Sequence, residues 1–315
     1  MNRKHILTVM ALAALAAVSC QTKDTDIQVP AAEQEPQEIQ VTFNAGWDKA
    51  GDTKTVRQPD GKVFWCPGDA INIIYGNWCG AGQQFNSLCS EPSATTSFTG
   101  TLPSGVNEVC AVYPYSSSSY LAERNETDDY YYIVVPNCPP AQQLGVPGTF
   151  ENGYFVSAAR TTTKNLRFKH VTGGIKFSLS RSDIKKASLV SNDGNGYTAI
   201  AQYAVFRLYP DRLETWKESW GGTDVDFGAT KIDLTPKEGS TFQSGVYYYI
   251  VTRACKLPAG FKLQLYTDEK CAELNISSSV TIQGGHFLSA DNIDQGLEWK
   301  AVSGGFEDYT FDPIN

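Results

Sequence analysis

The chain has 315 residues and a formal net charge of −8, from 26 Lys and Arg against 34 Asp and Glu. That balance argues against nucleic acid as a partner, because little is in place to neutralise phosphate charge. The length allows one large or two medium domains at about 100–200 residues each. With 16 Tyr, 27 Gly and 15 Pro against 2 Met, the chain is rich in strand and turn formers and poor in helix formers.

Arg3, Lys4 and His5 precede an apolar run, Ile6 to Val18, and Ala17-Val18-Ser19 leads into Cys20. A basic front, an apolar middle of about 7–15 residues and a small-residue cleavage site make a secretory signal. As a helix the run would rise about 20 Å, short of a bilayer core of about 30 Å. The segment resembles a bacterial lipoprotein signal, in which residues 1–19 are removed and the cysteine is lipidated. The resemblance implies a lipid on Cys20, attachment to the outer membrane, and a polar tether over residues 20–37. Lys23, Asp24 and Asp26, just past the lipid site, are similar to a charged signal for export to the cell surface. An ordinary secretory signal with an incidental cysteine is the alternative. No later apolar run reaches the roughly 18 residues of a membrane helix, so the lipid is the expected anchor.

Beyond the tether, Ile39, Val41 and Phe43 alternate with polar residues, which predicts a strand, followed by a loop to Gly61. Further strands are predicted at Ala70 to Tyr75, Phe98 to Leu102, Val109 to Tyr115 (ended by Pro114) and Tyr130 to Pro136. Phe168 to Ser180 reads as two strand-like runs around a break at Gly173-Gly174. Phe242 to Ile250, Phe261 to Leu265 and the Gly284-Gly285-His286-Phe287-Leu288 stretch close the pattern. Asp211 to Trp220 reads as a short helix or a loop. Short strands with turn clusters every roughly 8–15 residues argue for an all-β chain of β-sandwiches. A boundary near Thr161–Asn165 divides it into an N-terminal sandwich, 38–163, and a C-terminal one, 164–302, with an edge strand or loose tail at 303–315 favoured over a donor strand.

The order of these elements resembles the fimbrillin family, the type V pilins and related surface lipoproteins of Gram-negative anaerobes. The features that carry it are the first strand, Thr53-Lys54-Thr55, Trp65, Gly68-Asp69 with the strand after it, and Phe168 to Ser180. The resemblance implies two tandem transthyretin-like β-sandwich domains. It implies a protease cut after an arginine that removes the chain through its first strand, here Ile39, Val41 and Phe43. The vacated groove then takes a strand from another fimbrillin-like subunit, by backbone hydrogen bonds. Where the family pattern is Thr-Arg-Thr this chain has Lys54, and the nearest arginine for a cut is Arg57. A chain that keeps its lipid and first strand would be an anchor or a stand-alone adhesin, and Lys54 tilts toward that outcome. The expected location is the outer membrane, surface-exposed, or a fimbrium.

The second reading is a surface lipoprotein that binds host or microbial glycans. Tyr130-Tyr131-Tyr132 and Tyr247-Tyr248-Tyr249 would each bury one strand face and expose the other; such tyrosines are more often cross-strand packing partners, and the exposed ones could stack on sugars. Catalysis is not expected. His170 and His286 are the histidines left after the signal, and no G-x-S-x-G places a serine beside them. Asp128-Asp129, Asp224/Asp226 and Glu307-Asp308 read as solvated loop charges. Asn192-Asp193-Gly194-Asn195-Gly196 lacks EF-hand spacing and reads as a turn. No C-x-x-C or zinc spacing occurs among the eight cysteines, so no catalytic residue, metal site or cofactor is assigned. Cys255 and Cys271 either bridge neighbouring strands or stay as buried thiols.

Overall fold

A computed structural model describes residues 37–47, 64–76, 82–192, 198–215 and 228–302, all within one compact unit, Pro36–Asn315. Those residues form strands and turns without a helix. In chain order the strands begin with β1 (Glu38–Trp47), β2 (Ala70–Ile74), β3 (Gln83–Ser87), β4 (Thr96–Pro103) and β5 (Val109–Tyr113). Next are β6 (Tyr120–Asn125), β7 (Tyr130–Pro136), β8 (Gln142–Val146), β9 (Thr149–Phe150), β10 (Ser157–Thr161) and β11 (Asn165–His170). Then come β12 (Thr172–Ser178), β13 (Lys186–Ser191), β14 (Tyr203–Leu208), β15 (Leu213–Glu214), β16 (Lys231–Pro236) and β17 (Tyr247–Arg253). The last are β18 (Cys255–Leu257), β19 (Phe261–Tyr266), β20 (Lys270–Ile276), β21 (Val280–Ile282), β22 (Phe287–Ala290) and β23 (Lys300–Ala301).

The first sheet closes on itself as a barrel, in the order β1-β11-β10-β5-β2-β3-β4. Its interior holds Phe43, Trp65, Phe85, Phe98 and Phe168, all buried. Trp65 is the hub, with Phe98, Tyr113 and Phe168 edge-on to it at 5.1–5.2 Å. The outer face of the β2-β5-β10 wall is also apolar. There Ile74, Cys110, Val112 and Ala158 pack against Leu121, Ile133, Val135 and Phe206 of a covering sheet, ordered β15-β14-β7-β6. Burial on both faces explains why β5 is apolar at every position instead of alternating.

A second pair of layers follows. The sheet β17-β12-β22 faces the sheet β23-β20-β19-β13-β16-β8-β9 across a core that includes Phe177, Leu189, Leu234, Ile250 and Leu263. On the other side of β17 lies a smaller cluster of Phe150, Phe155, Tyr249 and Val251, with Phe287 against it.

The expected boundary at 163/164 falls in the turn of the β10–β11 hairpin, so the barrel runs on to His170. Strands from the two sides of that position also interleave: β8 pairs with β16, and β7 pairs with β14. The break expected at Gly173-Gly174 is not there. β12 runs straight through both glycines, paired with Thr252 and Val251. A Cβ at Gly173 would strike the carbonyl oxygen of Gln283, and one at Gly174 that of Ile250. The pair serves close backbone approach within the sheet, which a sequence shows only as a turn-like signal.

Candidate functional site

The strand singled out by its alternation, β1, is built into the barrel wall unevenly. Glu38 to Ala45 pair antiparallel with β4, and only Asn44 to Trp47 pair with β11, in parallel. Over Glu38 to Phe43 the side away from β4 therefore has no strand partner among the described residues. Ile39 is 44% exposed, Val41 is half-buried against the core, and Phe43 is buried with its ring 5.6 Å from that of Phe85. Of the three residues assigned to a removable strand, Phe43 is thus the main anchor and Ile39 contributes little.

β1 also runs beyond the expected end at Phe43. Ala45 continues the buried face, and Trp47 ends the strand in an aromatic clamp. Its ring stacks on Trp65 at 4.5 Å and on His170 at 4.9 Å, both within 14° of parallel. The outer face of β1 is tied laterally by Thr42 Oγ1 to Thr99 Oγ1 (3.4 Å) and Ser97 Oγ to Asn44 Oδ1 (3.1 Å). Asn44 Nδ2 donates to Asn165 Oδ1 at 3.4 Å across the seam with β11. Beside this seam lies an open cleft of about 800 Å³ walled by Trp47, Leu88, Glu91, Ser97 and Asn165. The Phe43-Ala45-Trp47 spacing was the available signal for the longer strand; Gly46 hid it.

Cys20, Arg57, Thr53-Lys54-Thr55, the tether and the tail from 303 lie outside the described residues. So do Asp224, Asp226, Glu307, Asp308 and Asp193 to Gly196. The stretch from Asp211 contains the short strand β15 before its remainder passes out of the described residues.

His170 is part of the packing. Its Nδ1 shares a 2.8 Å hydrogen bond with Ser157 Oγ, and its ring lies between Trp47 and Phe155. Burial first, and the nearby His286 second, push its pKa down to about 3, so the ring is neutral. Ser157 is fully buried, which removes it from reach of any substrate.

Asp129 lies in a turn, half-exposed, but is paired with two arginines. It accepts from Arg124 at 2.8 Å and from Arg160 at 2.7 Å, and these hydrogen bonds, the Arg160 one foremost, hold its carboxyl below the usual carboxylate range. Arg160 also reaches Glu108 at 2.7 Å, and both guanidiniums lie over the Tyr131 ring at 4.4 and 4.9 Å. This network ties β10 to the covering sheet. The tyrosine triplets are mostly interior: Tyr130, Tyr131, Tyr248 and Tyr249 are buried, and Tyr132 and Tyr247 half-buried. They pack the sheets and do not form an aromatic face open to sugars. Cys255 and Cys271 are buried free thiols, not a bridge. Among the described residues, no three His, Cys, Asp or Glu side chains gather where they could hold a metal ion.

No family model and no curated protein matches the chain. Solved structures do. A candidate cell adhesion protein of Bacteroides uniformis is 15% identical, covering 84% of this chain and 96% of its own, with a TM-score of 0.41. A candidate cell adhesion protein of Bacteroides ovatus is 10% identical, covering 76% of this chain and 87% of its own, with a TM-score of 0.43. One of Bacteroides thetaiotaomicron is 12% identical, covering 87% and 99%, with a TM-score of 0.32.

Proposed function

We propose that this chain is a surface protein of the adhesive or fimbrial kind, anchored in the outer membrane by a lipid on Cys20, and that it joins partner subunits by exchange of β1 and not by catalysis. The observation that carries the reading is the construction of β1. Six of its ten residues have a strand on one side only among the described residues, while Phe43 and Ala45 enter the barrel core. Loss of β1 would leave a groove between β4 and β11 with an apolar slot at its base. Backbone groups along that groove would accept an incoming strand antiparallel to β4. Its apolar side chains would have to match the positions of Phe43, Ala45 and Trp47. The lipoprotein-like start, with Arg57 between β1 and the rest of the barrel, supports the same reading.

The test is the mass and N-terminal sequence of the protein taken from the cell surface. A start after Arg57 in high-molecular-weight fibres identifies a polymerising subunit. An acylated Cys20 at the base of fibres identifies an anchor. An acylated, intact chain found only as a monomer, and unable to take up a synthetic β1 peptide after cleavage at Arg57, would remove the strand-exchange reading.

A further inference from the structure

A cleft of about 380 Å³ opens between the β10–β11 hairpin and the end of β14. Arg160, Arg167 and Lys169 line it, and no Asp or Glu does, in a chain whose net charge is −8. The three cations differ. Arg160 is held by Glu108 and Asp129, and Lys169 Nζ donates to the Asp211 carbonyl. Arg167 is exposed, and its guanidinium has no hydrogen-bond or ion-pair partner among the described residues. Its register partner on β1 is Gly46, which has no side chain to crowd the guanidinium. Asn165, Arg167 and Lys169 alternate along β11 and so share one face of the strand.

The rest of the lining is neutral and hydroxyl-rich. Thr161 and Thr163 share a 3.1 Å hydrogen bond at the hairpin turn, and Pro210 gives apolar surface. A second cleft of about 360 Å³ shares Lys169 and adds Arg212 and His286, although there Arg212 is paired with Asp211 and Glu214. A volume of this order suits a small ring and exceeds what a bare inorganic anion fills.

We infer that the Arg167 cleft binds an acidic saccharide, with the carboxylate of a uronic-acid unit on Arg167 and Lys169 and its hydroxyls on Thr161, Thr163 and Asn165. A guanidinium fork matches a planar carboxylate in two parallel hydrogen bonds. Neutral hydroxyl and amide groups around it match the rest of a sugar ring. The inference does not depend on strand exchange, since β1 stays in place.

Titration calorimetry on the full chain with trigalacturonate, a neutral galactose trisaccharide and sodium sulfate tests it. Trigalacturonate should bind, and Arg167→Gln should weaken it by about tenfold or more, the loss expected for one charge-assisted contact. Lys300→Gln, on the edge strand β23, should leave binding unchanged. Arg167 is exposed, so its replacement does not threaten the fold. Four outcomes overturn the inference: no binding of trigalacturonate, equal binding of the neutral trisaccharide, equal weakening by Lys300→Gln, or full displacement by an equal concentration of sulfate.

Discussion

Gln143 and Val251 are joined in both directions. The Val251 amide donates to Gln143 Oε1 at 2.9 Å, and Gln143 Nε2 donates to the Val251 carbonyl at 2.6 Å. Val251 belongs to β17, the end strand of its sheet, and Gln143 is buried in β8. One side-chain amide thus stands in for a neighbouring strand and satisfies two interior backbone groups. Gln143→Leu keeps the volume but orphans both groups, at about 1–3 kcal/mol each. Urea unfolding should show a loss of about 2–4 kcal/mol, and a loss under about 0.5 kcal/mol would mean that water replaces the amide.

The anchoring of β1 is unequal along its length. Phe43→Ala should destabilise by about 3–5 kcal/mol, as for a large ring removed from a core. Ile39→Ala should stay within about 0.5 kcal/mol. Hydrogen exchange should show the amides of Glu38 to Val41 opening well before those of Ala45 to Trp47, where β11 adds its bonds. Equal protection along the strand would contradict the one-sided pairing.

Gly174→Ala places a methyl group against the Ile250 carbonyl oxygen and the Phe287 ring. Both belong to strands paired with β12, so neither can move without breaking a ladder. Overpacking of this kind costs about 1–3 kcal/mol or more. Thermal unfolding should show a clear fall in Tm, or no folded protein at all. An unchanged Tm would mean that the sheet separates at little cost.

His170 makes the fold sensitive to acid. Its folded pKa of about 3 lies below the ordinary value of 6.5, so the native ring must stay neutral. Below about pH 6.5 the unfolded chain takes up a proton that the folded chain refuses. Stability is therefore full above that pH and declines as the pH falls toward 3, by at most about 1.4 kcal/mol per unit from this group. His170→Gln keeps a polar partner for Ser157 and removes the titration. Its denaturation midpoint should fall less between pH 6 and pH 4 than that of the parent chain, and parallel curves would exclude His170 as the cause.

Local pattern revealed the strands and little of their closure. β7 is legible because Tyr, Ile and Val run together up to Pro136, and β5 because Pro114 stops it. The face of β1 is legible in Ile39, Val41 and Phe43. Its far end is not, because Trp47 is fixed by Trp65 and His170, residues from elsewhere in the chain. The barrel boundary was missed for the same reason: the pairing of Asn44 with Asn165 joins distant segments and leaves no local trace. The Arg160 network was missed because Glu108, Arg124 and Asp129 look like ordinary turn and strand charges until β10 meets the covering sheet. The tyrosine triplets left packing and sugar stacking both open, since aromatic runs have the same composition whether they pack a core or face solvent; their burial shows the packing.

The interleaving of β7 with β14 bears on how the chain comes into being. During synthesis the barrel strands through β11 arrive before Tyr203 to Leu208, which complete the covering sheet. Until those residues emerge, the apolar face of Ile74, Cys110, Val112 and Ala158 is only partly roofed, by β6 and β7. Contacts so distant along the chain form slowly, and an open apolar face in the meantime invites aggregation. Until Leu208 has arrived, that half-roofed wall is the part of the nascent chain most open to wrong association.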